Sequence, residues 1–177
     1  MAIIKRIATE EQIQFSRDFL EQGGIAQRGE FDGDYHQQLF GLIAQVIVSD
    51  LLLLPRPING GFDGGVDLIY NNIKYDVKCC HRNTPFRSRS FCHNLNAKQL
   101  NYETEAYIFM SYDKTTGVFE ICGEITKVDF LSYATHYNKG EMRPRTDGTM
   151  MTVKNDGGMY ELKQKFLKQM EALKDYE

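Results

Sequence analysis

Apolar residues along this chain recur first at helical spacing and then in strand-like alternation and short continuous runs. Thr9 opens a capping-box pattern with Gln12, and Ile13, Phe15, Phe19 and Leu20 give one apolar side to a helix that reaches about Gln22. Gly23-Gly24 stops it, and Ile25 to Gly33, rich in glycine and charge, reads as a connection. Asp34 is the N-cap of a second helix running to about Leu53, with Leu39, Phe40, Ile43, Val46, Ile47 and Leu51 on a broad apolar face. Pro55 and Pro57 end it.

Val66 to Tyr70 and Ile73 to Cys79 then read as two strands of a hairpin. Asn71-Asn72 joins them, and asparagine tolerates the positive φ that a two-residue turn requires. A helix is expected from Leu95 or Asn96 to about Tyr102. Ala106 to Tyr112 is a buried strand, Asp113 to Gly117 a turn, and Val118 to Ile125 the returning strand. Beyond it, Lys127 to Tyr137 reads as a helix and Thr149 to Val153 as a short edge strand. Tyr160 to Leu173 reads as a lysine-rich amphipathic helix, with Leu162, Phe166, Met170 and Leu173 on one side.

Composition bounds the rest. A chain of 177 residues, 42% apolar and 25% charged, is expected to form a single soluble domain, 1–177. With a net charge of −3 it is no polycation, so any nucleic-acid contact has to be a local patch. No apolar run is long enough for a signal peptide or a membrane span. Cys79, Cys80, Cys92 and Cys122 show no disulfide framework, which suits reduced thiols and a cytoplasmic location.

The hairpin carries the candidate chemistry. Alternation puts Asp76 and Lys78 on one face of their strand and Val77 toward the core. The turn brings Asp67 back beside Asp76, so two carboxylates and an ammonium share a face. Close carboxylates repel, and a divalent cation relieves them. Mg²⁺ favours carboxylate oxygens, and the Val77 carbonyl can add a ligand. Lys78 can orient or deprotonate water, or stabilise developing negative charge. Together these are the parts of metal-assisted phosphodiester hydrolysis.

Asp67 followed by Asp76-Val77-Lys78 resembles the D…(D/E)-x-K signature of the PD-(D/E)XK, or restriction-endonuclease-like, nucleases, with Val66 where many members carry proline. The resemblance implies an α/β fold: a restriction-endonuclease-like core with a central mixed β-sheet flanked by helices. That core would span about 34–125, and 126–177 would be a C-terminal extension. It implies a Mg²⁺-dependent deoxyribonuclease, with Mn²⁺ as a possible substitute, in which Asp67, Asp76 and Val77 hold metal and Asp67, Asp76 and Lys78 are catalytic. In the family the preceding helix often contributes a glutamate. Here Gln45 occupies that place, either positioning water and metal or serving as an ordinary hydrogen-bonded residue at the edge of a helix face. Small members are frequent in phages and mobile elements, which implies action in a bacterial or phage-infected cell, alone, as a homodimer or with a partner subunit.

From Lys78 to Lys98 the chain carries no acid. Arg82, Arg87, Arg89 and Lys98 are therefore expected to hold DNA phosphates, with Phe86, Phe91 and several asparagines between them. Arg143 and Arg145 offer a second phosphate contact. A zinc site from Cys79, Cys80, His81, Cys92 and His93 is the weaker reading, because the usual knuckle spacing is missing. The alternative to an enzyme is a catalytically inactive nucleic-acid- or protein-binding module of the same fold.

Overall fold

The computed structural model describes residues 3–23, 34–58, 64–83, 91–145 and 148–176. Strand β1 (Ile4–Ile7) leads into helix α1 (Glu10–Glu21), and Asp34 then caps α2 (Tyr35–Leu51). Both helices begin with a complete capping box, Thr9 with Gln12 and Asp34 with Gln37, so orphan N–H groups in each first turn find partners. The hairpin follows as β2 (Leu68–Tyr70) and β3 (Ile73–Arg82), and Asn71 and Asn72 take φ of 50° and 62° at its turn.

β3 pairs in parallel with β5 (Ala106–Asp113), and β5 pairs antiparallel with β6 (Val118–Thr126). The resulting mixed sheet has the order β1-β6-β5-β3-β2. α2 packs on one face, where Ile43, Ile47 and Val48 meet Tyr75, Val77, Ile108 and Ile121. The molecule is thus mixed α/β, with a mixed sheet and few helices.

The opposite face is covered by elements that depart from the sequence reading. β4 (Cys92–Asn96), β7 (Thr135–Tyr137) and β10 (Met159–Lys163) form a second sheet in the order β4-β10-β7. The helix expected over Tyr160 to Leu173 is therefore a strand followed by short 3₁₀ turns at Gln164–Phe166 and Glu171–Tyr176. The helix expected over Lys127 to Tyr137 stops at Tyr133 as α3 (Lys127–Tyr133), and β7 continues from it. β8 (Met142–Pro144) and β9 (Met150–Thr152) make a small hairpin. Leu95, Leu162, Leu167 and Phe130 meet Tyr107 and Phe109 in this second core. Among the described residues no helix is long and apolar enough to cross a membrane.

Candidate functional site

β3 presents Tyr75, Val77 and Cys79 to the α2 side. Alternation sends Asp76 and Lys78 to the other. Leu68 is the register partner of Tyr75, which sets Asp67 across from Asp76 one step further on. Asp67 lies just before β2, with its carboxylate at the backbone of β3 rather than in the alternating register.

The backbone fixes Asp67 tightly. Its N–H donates to the Tyr75 carbonyl at 2.8 Å, and its carboxylate Oδ2 accepts from the Val77 N–H at 2.7 Å. Gln45, half-buried on α2, donates from Nε2 to the Asp67 carbonyl at 2.8 Å. The amide thus holds the backbone that carries the first carboxylate. Gly65, just upstream, has φ of 78° and packs so closely on Tyr102 that a β-carbon has no room. Its carbonyl accepts the Thr104 hydroxyl, which anchors the approach to Asp67.

Asp76 is 2% exposed. The Lys78 ammonium lies 2.7 Å from its Oδ2 and balances the buried charge. Lys78 itself keeps 21% of its side chain exposed, so its ammonium can move between Asp76 and solvent. Next to Asp67 lies a groove of about 560 Å³, walled by Leu54, Pro57, Ile58 and Val66 and edged by Lys74 and Glu103.

Tyr107, within the apolar run of β5, belongs to this neighbourhood. It is the register partner of Asp76 on β5 and is fully buried. Burial, and after it the charge of Asp76, raises its phenol above the ordinary tyrosine range. Its hydroxyl has no hydrogen-bond partner among the described residues. A tyrosine within an otherwise apolar run was the signal available in the sequence.

The expected phosphate contacts fare differently. Arg82 is buried at 7% exposure, with Nε donating to Ser111 Oγ at 2.7 Å and ion pairs to Glu120 and Asp113. It ties three strands together, and these partners engage its guanidinium. Arg143 is likewise buried against Glu161. Arg87 and Arg89 lie outside the described residues. Lys98 is exposed on the 3₁₀ turn Ala97–Asn101 after β4, in the electrostatic reach of Asp156.

Burial raises the Cys79 and Cys80 thiols, Cys80 to about 11. His93 is held by Gln164, which in turn donates to the Cys122 carbonyl. Among the described residues no group of three or more His, Cys, Asp or Glu side chains is placed to hold a metal ion. Searches of protein-family profiles, of curated proteins and of solved structures found no match to this chain.

Proposed function

We propose that this chain is a divalent-metal-dependent deoxyribonuclease built on a restriction-endonuclease-like core. The observation that carries the reading is the hairpin itself. The Asp67 carboxylate accepts from the Val77 N–H at 2.7 Å, next along β3 from Asp76, and Lys78 sits 2.7 Å from Asp76. The donor set suits a hard cation: oxygen ligands only, one of them the buried carboxylate of Asp76. Asp67, Asp76 and the Val77 carbonyl would hold Mg²⁺ or Mn²⁺. A cation bound there supplies Lewis-acid stabilisation of charge on the scissile phosphate.

The chain's own groups do the remaining work. Gln45 locks the Asp67 backbone. Lys78, released from Asp76, places a positive charge or a proton beside the reacting oxygen. The assignment to DNA rests on the likeness of Asp67 and Asp76-Val77-Lys78 to the nuclease signature.

Plasmid cleavage with Mg²⁺ or Mn²⁺ tests the reading. Wild type is expected to cut, and Asp76→Ala and Lys78→Ala are each expected to lose at least about a hundredfold in rate. A wild type that cuts nothing, or variants that cut as well as it does, removes the enzyme.

One observation favours a second reading. Lys78 already neutralises Asp76, and the helix supplies an amide at Gln45, so the hairpin is electrostatically satisfied without metal. A non-catalytic binding module with this fold would bind DNA with a steep salt dependence, unaffected by EDTA and by Asp67→Asn.

A further inference from the structure

Asp76 and Tyr107 are register partners on adjacent parallel strands, so their side chains leave the sheet on the same side. Asp76 ends in a carboxylate sealed from solvent whose Oδ2 meets the Lys78 ammonium at 2.7 Å, and the Tyr107 hydroxyl, sealed as well, has no hydrogen-bond partner among the described residues. An unpartnered hydroxyl beside a buried carboxylate is disfavoured in a core and suits a polar ligand shared by the two residues. The Tyr107 ring cannot turn away to relieve its hydroxyl. Phe130 packs on it at 5.3 Å between ring centroids and Phe109 at 6.0 Å.

We propose that Tyr107 is a positioning residue of the Asp76 site, its hydroxyl hydrogen-bonding to the hydration shell of a divalent cation that Asp76 holds. The proposal rests on the reading of the hairpin as a cation site and adds to it a residue from a different strand. Partners of this kind orient a metal's ligands and raise its affinity. The unpaired hydroxyl also disfavours the metal-free fold, so removing it should not weaken the apo protein.

The test uses Tyr107→Phe, Asp76→Ala and wild type, with Mn²⁺ and Tb³⁺ as probes. The chain has no tryptophan, so ultraviolet-sensitised Tb³⁺ emission must draw chiefly on tyrosine. Tyr107→Phe is expected to weaken Mn²⁺ binding about tenfold. It should also lose most of the sensitised emission at saturating Tb³⁺, while directly excited Tb³⁺ emission persists. The melting temperature of metal-free Tyr107→Phe should equal or exceed that of wild type.

Mn²⁺ affinity and sensitised emission that both match wild type overturn the role of Tyr107 and leave the cation site standing. A metal-free variant melting well below wild type overturns it as well, because the hydroxyl is then structural. If wild type binds neither ion, or Asp76→Ala binds them as tightly as wild type, the cation site itself is wrong.

Discussion

The Lys78 ammonium lies 2.7 Å from Oδ2 of Asp76, and the carboxylate is almost fully buried while the lysine stem reaches solvent. The two ends of this pair therefore respond differently to mutation. Lys78→Ala strands a buried negative charge and should destabilise the fold by about 3 kcal/mol. Asp76→Asn frees an ammonium that can turn outward, and should cost about 1 kcal/mol. Urea denaturation of both metal-free variants checks the asymmetry, and equal losses contradict it.

His93 predicts a pH dependence with a definite sign. Burial holds its imidazole down to about 4, against 6.5 for an ordinary histidine. Gln164 fixes the tautomer: its amide nitrogen donates to Cys122, so its oxygen accepts from His93 Nε2. As pH falls through 6.5 the unfolded chain takes up a proton that the folded chain refuses until about 4. Stability therefore declines across that window, by roughly 3 kcal/mol in total, and this contribution levels off below it. His93→Gln should flatten the slope of unfolding free energy between pH 6.5 and 4, and an unchanged slope would place the proton uptake elsewhere.

Arg82 is expected to behave as a fold residue. Replacing it with Met takes the guanidinium from buried Glu120, which keeps the Lys5 ammonium at 3.7 Å, and should cost about 3 kcal/mol. Asp113 is held down to about 2, chiefly by the Thr115 hydroxyl and N–H. It therefore stays charged through the whole working range. Arg82→Lys keeps a cation in the network and should lose less. Chemical denaturation measures both, and DNA affinity of folded Arg82→Lys should match wild type.

The hairpin was legible because everything that makes it is local. Asn71-Asn72 set the turn, and strand alternation placed Asp76 with Lys78 and apart from Val77. The ion pairs of Arg82 were not legible, because its acids come from distant strands. The acid-free run from Lys78 to Lys98 is real in sequence, yet Asp113 and Glu120 arrive by pairing of β3 with β5 and β5 with β6. The end of the chain misled for a related reason. Leu162, Met170 and Leu173 sit at spacings a helix would use, but Met159 to Lys163 completes a sheet with β4 and β7. Such pairings are set by partners that a local window does not contain.

Gly65 should be intolerant of any side chain. Its positive φ and the Tyr102 ring against it leave no space for a β-carbon. Gly65→Ala is expected to cost about 2–4 kcal/mol and to displace the segment that leads into Asp67. In folded protein at low temperature it should weaken Mn²⁺ binding, measured by calorimetry. Gly117→Ala, at a turn with open space around it, should lose stability but keep Mn²⁺ affinity.

The central claim is that Asp67 and Asp76 close on one cation, and a crystal soaked in Mn²⁺ addresses it directly. Anomalous difference density is expected between the two carboxylates, about 2.1 Å from an oxygen of each and from the Val77 carbonyl, with Lys78 moved off Asp76. Saturating Mn²⁺ that leaves this face without density, with the Lys78 contact to Asp76 intact, would contradict it.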